Sequence, residues 1–143
     1  TEAADRPCSE ALPPLVEKTW KRLAKDVKQL HLDSPAYPWH ETRIAAKKAR
    51  YAAEAVEPVF GKPAKELVKA LEEVTEILGD HQDAHVAQLT LKSLAAEADI
   101  DAPTGFALGL LFALEVDYEM SLRRDFQRLW PKIEKTHADT TLG

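Results

Sequence analysis

The stretch WHETRIAAKKARYAAEAVEP, residues 39–58, contains the strongest fold signal of the chain. Its alanines are good helix formers and its last residue is a proline, so the stretch predicts a helix over residues 39–57. Spacings of three and four residues place one set of basic side chains, together with Glu54, within about 80° of the helix circumference. We call this set the basic stripe; its members are His40, Arg43, Lys47 and Arg50.

The segments on both sides of this helix also have helical spacing. Apolar residues recur every three or four positions, and prolines and glycines punctuate the pattern. We predict an all-α fold, a helical bundle of about five antiparallel helices with a long last helix. The predicted helices span residues 13–30, 39–57, 63–78, 83–98 and 105–130. In this scheme Gly79 is a cap or bend between the third and fourth helices, and Pro131 ends or kinks the last one.

Composition limits the class of protein. The chain has 143 residues, of which 45% are hydrophobic and 30% are charged, and these values are typical of a globular domain. Its single cysteine, Cys8, allows no intramolecular disulfide, and no segment reaches the ~20 apolar residues of a membrane span. We predict a flexible linker over residues 1–12, the bundle over 13–137 and a tail over 138–143. We expect a cytoplasmic protein that binds no membrane, no cofactor and no metal.

The basic stripe lies on an acidic protein, whose formal net charge is −5. Like charges that are neighbours on a helix repel one another, so we expect a negative partner, either Glu54 or a multivalent anion. We also expect the stripe to border an apolar face made of Ile44, Tyr51 and Ala55, with Tyr51 in the core and its hydroxyl at the rim. The alternative is an ordinary solvated face, with His40 in a capping or packing role.

A second polar cluster, LGDHQDAHV, spans residues 78–86. Two interpretations remain open. His81 and His85, with oxygens from Asp80 and Asp83, have the spacing of a metal pair, which would fit a metal-dependent phosphohydrolase. In the structural interpretation, which we favour, Gly79 permits a bend and Asp83 caps the next helix. The sequence has no nucleophile-and-base motif and no glycine-rich phosphate loop, so we do not expect an enzyme.

Two motifs together resemble those of the CHAD family, the conserved-histidine α-helical domains. The first is H-x-x-R-x-x-x-K-x-x-R-Y-x-x-E over residues 40–54, and the second is L-G-x-x-x-D-A-x-V over residues 78–86. The resemblance covers about residues 15–94 and implies an all-α domain that binds inorganic polyphosphate, often at polyphosphate granules. Complete members contain two related halves, and this chain is most similar to the C-terminal half.

The resemblance also implies which residues bind. The motif positions are His40, Arg43, Lys47 and Arg50; further basic contributors are Lys48, Arg22 and Lys25, with weaker ones at Arg123, Arg124 and Arg128; supporting residues are Tyr51, Glu54 and Asp83. The expected function is non-enzymatic binding of inorganic polyphosphate or another polyanion. Net acidity disfavours nucleic acid as a partner. The alternatives are the phosphohydrolase and an interaction module that docks an acidic partner, a second copy or a companion half.

Overall fold

The computed structural model describes residues 8–141 of the chain, with side chains over residues 14–140. Four helices follow one another in this part: α1 (Cys8–Lys28), α2 (Ala36–Phe60), α3 (Lys62–Ala95) and α4 (Ala102–Thr141). The predicted all-α class and the long last helix are confirmed. The predicted number of helices, about five, is wrong.

The error lies at Gly79, where no bend occurs. The third and fourth predicted helices are one 34-residue helix, α3, and Gly79 has no positive φ. Leu78, His81 and Ala84 are all buried, so the same face of the helix packs on both sides of the glycine. Tertiary packing therefore outweighs the propensity penalty of about 1 kcal/mol for a glycine inside a helix. Asp83 is an exposed residue within this helix and does not cap a new one.

Helix boundaries also differ from the prediction. α1 begins at Cys8, five residues before the Pro13-Pro14 pair, where the sequence predicts its start. Pro58 lies inside α2 and Pro131 lies inside α4, so neither proline ends its helix. Residues 1–7 and 142–143 lie outside the described residues, and the domain boundaries at 12 and 137 stay predictions.

A single residue, Gly61, separates α2 from α3. Its φ of 66° and ψ of −131° make it the only described residue with a positive φ. This conformation costs a glycine little and an L-residue much, because a Cβ would clash with the backbone. The tight turn makes α2 and α3 antiparallel neighbours over most of the length of α2.

The buried face of α2 consists mainly of small side chains. Alanines at this face allow the neighbouring helices to approach closely. The buried residues of α2 are Trp39, Thr42, Ala45, Ala46, Ala49, Ala52, Ala53 and Val56. Larger side chains from the other three helices, including Leu23, Leu71, Val74 and Phe126, fill the remaining space.

Aromatic rings join the first helix to the last. The ring of Trp20 in α1 stacks on Trp130 in α4 with 5.3 Å between centroids, and it also stacks on His137 at 4.0 Å. Phe126 bridges Trp130 and Trp39 at 5.9 Å and 5.6 Å. The four helices thereby enclose one hydrophobic core.

Parts of α3 and α4 extend past the start of α2. Trp39, near that start, stacks on His81 of α3 with 4.9 Å between centroids, so the α3 residues after about 85 have no α2 beside them. Nε2 of Gln88 lies 2.6 Å from Oε2 of Glu119, which pairs this part of α3 with α4. We call residues 86–118 the α3–α4 arm. No helix in the described part of the chain is long and apolar enough to cross a membrane.

Candidate anion-binding site

The basic stripe lies along the side of α2 that faces α3. Nη1 of Arg50 donates a 2.9 Å hydrogen bond to Oγ1 of Thr75 on α3. A Cβ placed on Gly79 would lie 4.0 Å from Nε of Arg43, so the Arg43 side chain passes over that glycine. The stripe therefore lines the surface between the two helices, which we call the α2–α3 groove.

All four stripe residues are partly buried, and the side chain of Arg50 is only 24% exposed. The reason is their position on the helix, since at about 100° per residue the stripe adjoins the buried face that contains Trp39, Ala46 and Ala53. Partial burial lowers the effective dielectric constant around these cations and strengthens their attraction for an anion.

The predicted apolar border of Ile44, Tyr51 and Ala55 is wrong. Tyr51 is 51% exposed, Ala55 is exposed, and Ile44 is only partly buried, because these residues lie on the outer edge of the stripe. Tyr51 is thus not a core residue. Its ring instead lies under the guanidinium of Arg50, with 5.1 Å from Cζ to the ring centroid, a cation–π contact that supports the arginine from the solvent side.

The stripe carries positive charge that the protein does not neutralise. Glu54 Oε1 lies 3.3 Å from Nε of Arg50. Within the described residues, Arg43 and Lys47 form no hydrogen bond or ion pair, and Nδ1 of His40 is buried without a hydrogen-bond partner. A buried polar group without a partner costs about 1–3 kcal/mol, so the groove contains hydrogen-bonding groups whose capacity is not used within the protein.

The structure does not bring every predicted site residue to this groove. Lys48 is exposed and lies about 100° around the helix from Lys47. Arg22 and Lys25 are exposed on α1, where Nε of Arg22 pairs with Asp26 at 3.4 Å. Asp83 is exposed on α3 and forms no ion pair with a stripe residue. Their roles in binding stay predictions.

The second polar cluster of the sequence is a buried network between α3 and α4. His81 is 2% exposed, and its Nε2 accepts a 3.0 Å hydrogen bond from Nε of Arg123. Burial lowers the pKa of His81 to about 4, and Arg123 and His85 add to this effect while Glu119 opposes it. His81 is consequently neutral near pH 7 and acts as an acceptor.

Arg123 is 5% exposed, and each nitrogen of its guanidinium has a hydrogen-bond partner. Nη1 donates to the carbonyl oxygens of Leu32 and Ser34 at 2.8 Å and 2.6 Å, and Nη2 lies 3.2 Å from Oε1 of Glu119. The expectation that Arg123 adds to the anion surface is therefore wrong. Sequence reasoning missed Glu119 and Arg123 as a pair, although their i, i+4 spacing beside the apolar positions Leu122 and Phe126 was the available signal.

This network also bears on the metal interpretation. His81 and His85 both turn towards Glu119, at 3.9 Å and 3.6 Å, but Nε2 of His81 is already occupied by Arg123. No group of three or more His, Cys, Asp or Glu side chains within the described residues is placed to hold a metal ion. The four residues of the phosphohydrolase alternative are not gathered into one site, because a continuous helix distributes them around its circumference.

Together, the bundle and its groove define an all-α domain with a partly buried basic surface. The CHAD domain family matches residues 1–92, which is more than half of the chain, and the chain belongs to this family. The match extends over α2 with its stripe and most of α3. No curated protein and no solved structure matches the chain.

Proposed function

We propose that this protein binds inorganic polyphosphate in the α2–α3 groove, and that it does so without catalysing a reaction. One observation carries the proposal: the partly buried cations Arg43 and Lys47 have no negative partner within the described residues. An anion in the groove would supply that partner and would offset the mutual repulsion within the stripe. Membership of the CHAD family supports the same ligand class.

The geometry of the stripe suits a linear polyanion. At 1.5 Å per residue, its members follow one another about 4.5–6 Å apart and span about 15 Å from His40 to Arg50. A flexible chain of phosphates places one negative group after another along such a row. Arginine adds forked donors that match phosphate oxygens, and lysine adds a point charge.

The acidic remainder of the protein makes the groove selective. With a net charge of −5, most of the surface repels a long, stiff polyanion such as duplex DNA. A thin chain confined to one groove avoids much of that repulsion. Concentration of the protein at polyphosphate granules follows from the same proposal.

A titration with long-chain polyphosphate tests the proposal. We expect Arg43→Ala/Lys47→Ala/Arg50→Ala to lower affinity by about 100-fold or more at moderate salt, since three charge-assisted contacts are lost. The matched control is Lys18→Ala/Lys21→Ala/Lys28→Ala, which removes the same charge from exposed positions of α1 and should change affinity by about threefold or less. Equal losses in both variants would overturn the assignment of the groove.

Two further measurements complete the test. Arg43→Gln/Lys47→Gln leaves the Arg50–Thr75 hydrogen bond intact, so a loss of binding in this variant cannot be attributed to a disturbed α2–α3 contact. Orthophosphate release from polyphosphate should stay at background, and turnover by the purified protein would overturn the non-enzymatic part of the proposal. Duplex DNA should bind much more weakly than polyphosphate at the same salt concentration.

A further inference from the structure

Two exposed aromatic side chains lie beside the basic stripe on α2. Tyr37 is 69% exposed and Tyr51 is 51% exposed, and neither belongs to the hydrophobic core. The Tyr51 ring lies under the guanidinium of Arg50, and no other ring in the described part of the chain stacks on it. A large part of both rings is therefore open to a ligand.

The two tyrosines lie at opposite ends of the stripe. Tyr37 precedes His40 by three residues, and Tyr51 directly follows Arg50. At about 100° per residue, Tyr37, Ile44 and Tyr51 lie within about 40° of one another around the helix. We call these three residues the aromatic edge. At 1.5 Å per residue the aromatic edge is about 21 Å long, and the stripe, about 15 Å long, runs beside it.

The other side of the stripe is occupied by α3. Arg50 donates a hydrogen bond to Thr75 of α3, and the Arg43 side chain passes over Gly79. A ligand whose phosphates lie on the stripe therefore has α3 on one side and the aromatic edge on the other. Planar groups attached to those phosphates have room only on the side of the aromatic edge, where Tyr37 and Tyr51 are exposed.

We propose that the basic stripe and the aromatic edge together bind single-stranded nucleic acid, with phosphates on the stripe and bases stacked on Tyr37 and Tyr51. Surfaces that bind single strands combine cations along the backbone with aromatic side chains for the bases, because every base has a π-face. The repulsion expected from the net charge of −5 acts most strongly on a long, stiff duplex. A flexible single strand follows the stripe as a polyphosphate chain does.

This inference goes beyond polyphosphate binding but rests on the same cations, so the two ligands compete for the stripe. Polyphosphate has no bases and gains nothing from the aromatic edge. The tyrosines therefore separate the two ligands in an experiment. If the wild type binds polyphosphate but no single strand, this inference alone fails; if it binds neither, the proposed function fails as well.

Titration with fluorescent oligouridylate at moderate salt tests the inference. We expect Tyr37→Ala and Tyr51→Ala each to lower its affinity by about fivefold or more, and Tyr37→Phe and Tyr51→Phe, which keep the ring, to stay within about twofold of the wild type. The alanine variants should change polyphosphate affinity by about twofold or less. The control is Tyr118→Ala, at an exposed tyrosine of α4, which should change neither affinity. Equal losses for both ligands, or no binding of oligouridylate by the wild type, would overturn the proposal.

An abasic strand with the same number of phosphates tests the stacking directly, because it keeps the charge of oligouridylate and lacks the bases. The wild type and the two alanine variants should bind this strand with affinities within about twofold of one another. Arg43→Gln/Lys47→Gln should weaken the binding of both strands, and polyphosphate should displace oligouridylate from the wild type. Abasic binding that depends on the tyrosines, or simultaneous binding of polyphosphate and oligouridylate, would overturn the proposal.

Discussion

Nε of Arg123 lies 3.0 Å from Nε2 of His81, a residue 42 positions earlier in the chain. The same guanidinium binds the carbonyl oxygens of Leu32 and Ser34, which precede α2. One buried side chain thus holds α4, α3 and the segment that leads into α2. This network also positions the first residue of the basic stripe, His40, because its chain neighbour Trp39 packs against the network. The Trp39 ring stacks on His81, and its centroid lies 4.9 Å from Cζ of Arg123.

The first prediction concerns stability as a function of pH. Burial lowers the pKa of His81 from 6.5 to about 4, so between these two values the unfolded chain binds more protons than the folded one. The free energy of unfolding must then rise with pH in this window and fall on acidification. The loss from His81 between pH 7 and pH 4 is on the order of 3 kcal/mol.

Urea unfolding of the wild type and of His81→Gln checks this prediction. Glutamine keeps an acceptor for Arg123 but does not titrate, so the variant should lack this part of the pH dependence. The contributions of carboxylates that do not interact with His81 are common to both proteins and cancel in the difference. Parallel stability curves for the two proteins between pH 7 and pH 4 would contradict the assignment.

The second prediction concerns Arg123 itself. Arg123→Met removes hydrogen bonds to two carbonyl oxygens and leaves Glu119, whose side chain is 15% exposed, without its arginine. Breaking a buried pair by removing one partner costs about 3–5 kcal/mol. The control is Lys135→Met, an exposed cation on the same helix, whose loss should change the free energy of unfolding by about 0.5 kcal/mol or less. Similar effects in both variants would show that the network adds little.

The third prediction compares two glycines. Gly79→Ala should stabilise the protein by about 0.5–1 kcal/mol, because Gly79 is helical and a Cβ there meets only Nε of Arg43 at an ordinary contact distance of 4.0 Å. Gly61→Ala should destabilise it by about 1–3 kcal/mol, because Gly61 has a φ of 66°. Thermal melting of the two variants measures the opposite signs. A destabilised Gly79→Ala protein would show that a Cβ at this position does not fit beside Arg43 as an ordinary van der Waals contact.

The fourth prediction concerns Glu54. Its carboxylate lies 3.3 Å from Nε of Arg50 and competes with any anion for that arginine. Glu54→Gln should therefore raise polyphosphate affinity, by about two- to fivefold, since an exposed ion pair of this type contributes about 0.5–1 kcal/mol. Glu134→Gln makes the same change in net charge at an exposed position of α4 and should leave the affinity unchanged. Equal gains in both variants would indicate a general charge effect.

The helix that carries the stripe was predictable because its geometry is local. Spacings of three and four residues place Arg43, Lys47 and Arg50 on one side of α2 whatever the rest of the chain does. Which edge of the stripe adjoins the buried face of α2 was not predictable in the same way. Alanine is neither strongly apolar nor polar, so the sequence predicts Ile44 and Tyr51 as the inner border, whereas the buried face consists mainly of alanines.

The errors share one physical cause, which is packing between distant segments. Gly79 disfavours a helix by about 1 kcal/mol relative to alanine, and contacts of α3 with its neighbours outweigh that penalty. Arginine is one of the residue types that are mostly exposed, yet Arg123 is buried because groups at residues 32, 34, 81 and 119 bind its guanidinium. Such partners are not visible in any short window of sequence.

The single-residue connection at Gly61 affects how the groove forms during folding. Its two walls are close in sequence, and the Arg50–Thr75 hydrogen bond joins residues only 25 positions apart. The bond from Arg123 to Leu32 joins residues 91 positions apart. Contacts of low sequence separation close with a smaller entropic penalty and form sooner. The α2–α3 groove is therefore a local structure, and we expect its two walls to meet before the segment ahead of α2 closes onto Arg123.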